Sequence, residues 1–207
     1  MSGHVIISHG LESGPDASKA TALARVAGAL GWSHERPDYR DLDVLGPLGD
    51  VKARIRRLAE RAHLATRKPL VLAGSSMGAY ISGHVSREVP VAGLFLMAPP
   101  VALDVAPGPL HAAMVPTRII HGWEDELIPA LDVVRWAQRR QDTLVLVPDS
   151  HRLAAHVEFC AEEFGRFLQM LAWCASSSPA PRAWNTCWPT SCAARPTTSS
   201  NSPSWRR

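Results

Sequence analysis

Little in this sequence invites a disulfide framework. Its four cysteines, Cys160, Cys174, Cys187 and Cys192, form no Cys-x-x-Cys pair, and three of them fall within residues 174–207. Cys160 alone occupies an apolar helical position, where a buried reduced thiol is expected. Long apolar runs are also missing: none approaches the roughly 18 residues of a membrane span. The N-terminal stretch Met1 to Gly10 lacks a basic segment followed by the apolar core of a secretory signal. The location expected is therefore cytoplasmic, with no membrane partner. There is no Gly-x-Gly-x-x-Gly, no Walker sequence and no His-Glu-x-x-His, and the 9 histidines are dispersed. No metal site or cofactor is implied.

A strong charge imbalance is likewise absent. The formal net charge is +3, yet four of the 22 basic residues (Arg182, Arg195, Arg206 and Arg207) lie in residues 174–207, which contain no Asp or Glu. The preceding 173 residues carry 18 basic and 19 acidic side chains, a net of −1. Such a balanced body gives no electrostatic reason to expect nucleic acid as a partner. The same terminal segment has no Leu, Ile, Val, Met or Phe. It cannot bury enough aliphatic surface to offset its ordering entropy, and it reads as a disordered extension. Its composition equally fits translation past a shifted reading frame. The folded domain is expected over residues 1–173, one domain with a full core.

What is present is an alternation of short apolar runs and amphipathic stretches. Val5–Ile7, Leu70–Ala73, Val91–Met97, Thr117–Ile120 and Leu144–Val147 read as strands. Between them, Ala20, Leu23, Ala27 and Leu30 recur at helical spacing. Asp50 precedes a second helix with Val51, Ile55, Leu58 and Ala62 on one face and Arg54, Arg57 and Arg61 on another. A helix-like stretch covers 79–88, and Pro129 can start another. The closing stripe Leu153, Val157, Cys160, Phe164, Phe167 and Leu171 predicts a long helix. Alternation across short connections implies an α/β fold: a mostly parallel sheet of about six strands with helices on both faces.

The strand Leu70–Ala73 runs into Gly74-Ser75-Ser76-Met77-Gly78 and then a helix. This is Gly-x-Ser-x-Gly in strand–turn–helix context, where a strained turn exposes a nucleophilic serine. Three fixed positions match by chance on the order of 0.1 times in a chain this long, so the placement matters more than the letters. A serine hydroxyl needs a base, and the base an orienting acid. Past the strand Thr117–Ile120 comes His121-Gly122-Trp123-Glu124-Asp125-Glu126-Leu127-Ile128-Pro129. Past Leu144–Val147 comes Pro148-Asp149-Ser150-His151. Both loops follow the carboxyl ends of strands, the edge where α/β sheets place their sites.

His-Gly-x-x-Asp-x-x-Ile-Pro resembles the acid-bearing segment of α/β-hydrolases, and Ser150-His151-Arg152 resembles their histidine loop. His9-Gly10-Leu11 resembles the loop that supplies one oxyanion-hole amide. Residues 4–171 are thus similar to short, lidless bacterial esterases and dienelactone-hydrolase-like proteins. The resemblance implies Ser76 as nucleophile, His151 as base and Asp125 as acid, with the amides of Leu11 and Met77 facing the oxyanion. Glu124 and Glu126 are the alternative acids, and Ser75 the alternative nucleophile. Asp149 reads as a solvated turn residue, and His9 and His121 as residues that bond to neighbouring backbone. Trp123 and Val101 are candidates for the substrate pocket.

Larger α/β-hydrolases insert a cap before the acid strand. Here that interval, Ala98 to Pro116, is short and broken by prolines, so no cap domain and a shallow, open site are expected. These features imply a serine hydrolase acting on a small-molecule ester or thioester, or a peptidase or lactonase on the same triad. The alternative from another class is a binding or scaffold protein that has kept the fold without catalysis.

Overall fold

Residues 3–104 and 106–176 are described by the computed structural model of the chain. The segment 177–207, and with it the expectation of a disordered or frame-shifted tail, lies outside the described residues.

The β-branched run Val5-Ile6-Ile7 forms β1 (His4–Ser8), and the chain then alternates helix and strand. In order follow α1 (Ser18–Ala29), β2 (Ser33–Glu35), α2 (Arg40–Asp43), α3 (Val51–Leu64), β3 (Leu70–Ser75) and α4 (Met77–Val85). The second half contains β4 (Gly93–Met97), β5 (Thr117–Gly122), α5 (Ala130–Arg140), β6 (Thr143–Val147) and α6 (Val157–Ser176). The strands form one 6-stranded sheet in the order β2-β1-β3-β4-β5-β6. Every pairing is parallel.

Side chains alternate across this sheet with the period of two that a strand imposes. Ile6, Leu72, Leu94, Leu96 and Ile119 join one core layer with Leu58 of α3, Tyr80 of α4 and Val133 of α5. Val5, Ile7, Val71, Phe95 and Ile120 join the other with Leu23 of α1 and Phe164 and Phe167 of α6. Each fully buried aliphatic or aromatic side chain contributes roughly 1.5–3 kcal/mol, which is why the central strands are apolar at nearly every position.

The sheet differs from expectation at its edges. Ser33-His34-Glu35 pairs with β1 as an edge strand although it is polar throughout; an edge strand needs no continuous apolar run. Helix α2 is four residues long with no buried residue, too short to leave a periodic pattern. Leu153 is buried but not part of the closing helix. It has φ 51° and precedes a 3-10 turn, Ala154–His156, that leads into α6. That helix continues through Ser176, with Cys174 buried on it.

Strand order reverses between β1 and β3: the connection from β1 leads to one edge of the sheet, and the chain returns to the other side of β1. Crevices at such switch points, outside the carboxyl ends of the strands, are where α/β sheets bind ligands. The loop after β1 and the turn after β3 meet there. The contact is tight: a Cβ at Gly78 would lie 2.0 Å from the Ser8 carbonyl oxygen and 2.7 Å from that of His9.

Residues 98–116 contain no helix or strand among the described residues and are fastened to the body. Trp136 Nε1 donates to Leu110 O (3.0 Å), Arg140 donates to the carbonyls of Ala112 (2.9 Å) and Ala113 (2.8 Å), and the Tyr80 hydroxyl donates to Gly108 O. Residues 108–113 are thereby laid along α4 and α5, and no cap domain is built from the described residues.

Gly78→Ala forces backbone against backbone, so a loss of about 3 kcal/mol is expected, or a fall in Tm of roughly 10 °C. Calorimetry checks this; a Tm within about 2 °C of the parent would show that the β1 loop can withdraw from the elbow.

Candidate active site

Ser76 connects β3 to α4 and has φ 53°, ψ −120°, a region that side-chain-bearing residues enter only at a cost of about 1–3 kcal/mol. It is held by its surroundings. Its N–H donates to Met97 O at 2.8 Å, and its carbonyl accepts from Ala79 (2.9 Å) and Tyr80 (3.1 Å). A Cβ at Gly74 would stand 2.3 Å from Gly78 C, so the strand and the helix can pass this closely only without one. The strained turn thrusts Ser76 Oγ out at the carboxyl edge of the sheet.

There it meets an imidazole. Ser76 Oγ lies 2.9 Å from His151 Nε2, and His151 Nδ1 lies 2.8 Å from Asp125 Oδ2. A carboxylate can only accept, so Nδ1 carries the proton and Nε2 is left to accept from the serine hydroxyl. Of the three consecutive acids at 124–126, only Asp125 turns inward, with its side chain fully buried. Its other oxygen accepts from the amides of Leu127 (3.0 Å) and Ile128 (2.8 Å). Burial by itself raises the Asp125 pKa, but the hydrogen bonds from His151, Ile128 and Leu127 outweigh it, and the net shift is downward. Asp125 is therefore ionised and aimed at His151. Glu126 is exposed and accepts from the His151 amide at 3.1 Å, which ties the two loops together. The amides of Trp123 and Glu124 reinforce this by donating to Val147 O (2.8 Å) and Asp149 O (3.1 Å).

On the opposite side of Ser76 runs the loop after β1. A Cβ at Gly10 would lie 3.4 Å from Ser76 Cβ, so residues 10–11 border the serine. Met77 is the first residue of α4, and its N–H has no intrahelical acceptor. The chain thus brings together Ser76, His151 and Asp125, with Met77 and the loop holding Leu11 beside them. It leaves Ser75 within β3, Glu124 and Glu126 on the surface, and Trp123 56% exposed on the acid loop. Val101 is given to the core; it lines a cavity of about 260 Å³ with Leu110 and Trp136, neither of them part of the Ser76–His151–Asp125 chain.

Two residues do more than their sequence positions suggested. Arg54, grouped by spacing with Arg57 and Arg61, is fully buried: it pairs with Asp43 through two 2.6 Å bonds and donates to the carbonyls of His9 and Gly10, each at 3.2 Å. Only a partner eleven residues away, on α2, allows this burial, and no local pattern signals it. Asp149 is not solvated; its side chain accepts from Ser150 N, Ala155 N and His156 Nδ1 and staples the histidine loop. His121 is fully buried and donates from Nε2 to Ile128 O at 3.0 Å, 3.5 Å from Asp125 Oδ2. It braces the acid loop as a backbone-bonding residue. Among the described residues, no group of three or more His, Cys, Asp or Glu side chains is placed to hold a metal ion, and no helix is long and apolar enough to cross a membrane.

No family model matches the sequence, and a comparison with curated proteins finds no match. Solved structures do match. One, from Xanthomonas campestris pv. campestris and described as a hydrolase of the α/β superfamily, is 56% identical over 81% of this chain and 98% of its own, with a TM-score of 0.78. A second, an α/β serine hydrolase homologue from Coxiella burnetii, is 26% identical over 81% of this chain and 86% of its own, with a TM-score of 0.62. A third, a Xanthomonas campestris serine hydrolase without a lid, shares the fold at 22% identity and a TM-score of 0.59, covering 88% of this chain and 86% of its own.

Burial lowers the pKa of both His9 and His121 from the ordinary 6.5. The unfolded chain binds protons at these groups near 6.5, whereas the folded chain resists them. Their contribution to stability is complete above that value and is lost as pH falls through the depressed folded values. The urea midpoint should therefore drop between about pH 7 and pH 5 and stay flat between about pH 7 and pH 8. A midpoint unchanged at the lower pH would contradict the neutral, buried state of these imidazoles.

Proposed function

The chain belongs to the α/β-hydrolase superfamily, and we propose that it is a serine hydrolase cleaving small carboxylic esters or thioesters through an acyl-enzyme. The observation that carries this reading is the unbroken hydrogen-bonded chain from Ser76 through His151 to Asp125, ending on a buried, ionised carboxylate. A scaffold protein would have no use for a strained serine kept in line with an imidazole, because the strain costs stability and returns nothing to folding. The similarity to a protein described as a serine hydrolase homologue points the same way.

The geometry supports the following sequence of steps. Ser76 Oγ attacks the carbonyl carbon as its proton passes to His151 Nε2. Asp125, accepting from Nδ1, holds the tautomer and stabilises the imidazolium. The carbonyl oxygen gains charge and is met by the amides of Met77 and Leu11, with the N-terminal end of α4 adding its dipole. The imidazolium then protonates the leaving alcohol or thiol. Water, deprotonated by the same imidazole, releases the acid and restores the serine. Small substrates are favoured because Leu110, Ala112 and Ala113 are bonded down on α5 and no cap domain is built from this stretch. Added methylenes would remain in water and gain little of the roughly 0.8 kcal/mol each that burial provides.

Ser76→Ala should reduce the rate of p-nitrophenyl acetate hydrolysis by on the order of 10⁶-fold with the Tm scarcely altered. Asp125→Asn should cost about 10⁴-fold by reversing the tautomer, and Glu124→Gln should be mild. Steady-state kinetics on the three variants provides the check. Retention of a tenth of parental activity by Ser76→Ala, or a greater loss from Glu124→Gln than from Asp125→Asn, would overturn the assignment.

A further inference from the structure

Fully buried arginines are rare because the charge must be compensated, and Arg54 uses its guanidinium on two fronts. One edge forms the bidentate pair with Asp43. The other donates to His9 O and Gly10 O, while the Cζ carbon lies 4.8 Å from the centre of the Tyr39 ring. The Gly10 carbonyl is unusually well supplied. It accepts from His9 Nδ1–H at 2.7 Å, Arg54 Nη2 at 3.2 Å and Ser13 Oγ at 3.4 Å. The tautomer of His9 is set from its other side, since Nε2 accepts from the Tyr39 amide at 3.0 Å and Nδ1 therefore holds the proton.

This carbonyl belongs to the same planar peptide group as the Leu11 N–H. In a trans peptide the two point in opposite directions. A carbonyl anchored inward on the buried clamp turns the Leu11 N–H outward, in the loop that borders Ser76. A cation donating to the carbonyl also draws electron density from the amide nitrogen and strengthens its hydrogen as a donor. Bonds linked through a peptide polarise one another in this way, most of all where water is excluded.

We propose that Arg54 and His9 are positioning residues for hydrolysis: they lock and polarise the Gly10–Leu11 peptide so that its N–H is a preorganised, strengthened donor to the oxyanion. Asp43 is the counter-ion that makes the buried cation tolerable. The inference rests on the serine-hydrolase reading and adds a source of electrostatic stabilisation that never touches substrate. A purely structural arginine would alter stability alone, whereas a polarising one acts on the transition state and not on ground-state binding.

The test compares the parent with Arg54→Met/Asp43→Leu, which removes both charges together and leaves neither buried alone. Arg57→Met is the control, because Arg57 lies on the same helix but pairs at the surface with Asp41. Each is assayed for p-nitrophenyl acetate hydrolysis, Tm and inhibition by an aryl trifluoromethyl ketone. Ser76 Oγ adds to that ketone while its proton passes to His151, leaving a hemiketal oxygen that carries the negative charge. The double variant should lose about tenfold in kcat with KM within about twofold, and should bind the ketone about tenfold more weakly; loss of a whole oxyanion donor costs more, roughly 10²–10³. Arg57→Met should match the parent. A folded double variant with parental kcat, or one that loses kcat but keeps its affinity for the ketone, overturns the proposal. Should the double variant fail to fold, Arg54→Lys takes its place, since it retains the charge but not the fork. The same parallel fall in kcat and ketone affinity is then expected, and unchanged kcat overturns the idea. A parent protein without hydrolysis would overturn the serine-hydrolase reading and this one with it. An active parent with an unaffected variant would overturn only the role of Arg54.

Discussion

Ser76 occupies a backbone conformation that its side chain disfavours, and the surrounding architecture serves to hold it there. Parallel β3 and β4 deliver the Met97 carbonyl that anchors its N–H. Gly74 and Gly78 let β3, α4 and the loop after β1 approach within distances no Cβ would permit. The apolar residues of the central strands supply the burial that offsets the strain. Relax any of these and the serine would sink back into an ordinary turn, away from the imidazole. The two core layers are in this sense the far end of one mechanical support whose near end is a single hydroxyl.

Around the elbow, charge is handled in two separate compartments. On one side, Asp125 is kept ionised by the His151 imidazole and by two backbone amides, and the loops that carry Asp125 and His151 are cross-tied through the amides of Trp123 and Glu124 and the Glu126 carboxylate. On the β1 side, Arg54 and Asp43 neutralise each other under the loop of His9 and Gly10. Breaking such a pair by removing one partner costs about 3–5 kcal/mol. Each compartment therefore contributes to stability and to geometry at once.

The fold class could be read from the sequence because central parallel strands are buried on both faces and must be apolar, as Leu70–Ala73 and Leu94–Met97 are. The segments that meet at the candidate site could be read because strand–turn–helix context restricts Gly-x-Ser-x-Gly, and because both further loops follow apolar strands. What stayed illegible was set by contacts distant in sequence or by short elements. Ser33–Glu35 becomes a strand because β1 offers it an edge. Leu153 is buried by a left-handed turn, not by helical periodicity. Arg54 shares its spacing with two surface arginines and differs from them in being enclosed by Asp43 and the carbonyls of the β1 loop. Asp149 reads as a turn residue until the 3-10 turn brings His156 and the Ala155 amide against it. Periodicity reports which face is apolar; it does not report which polar side chain has a partner inside.

Covalent labelling tests the central claim, a serine made nucleophilic by its neighbours, most directly. A fluorophosphonate reacts with a hydroxyl only where a base removes its proton and donors receive the developing charge on phosphorus-bound oxygen. Intact-mass analysis after exposure, followed by peptide mapping, should show one adduct per chain, located on Ser76 and abolished by heat unfolding before exposure. A folded protein that takes up no label, or whose label maps to Ser75 or another residue, would contradict a nucleophilic Ser76.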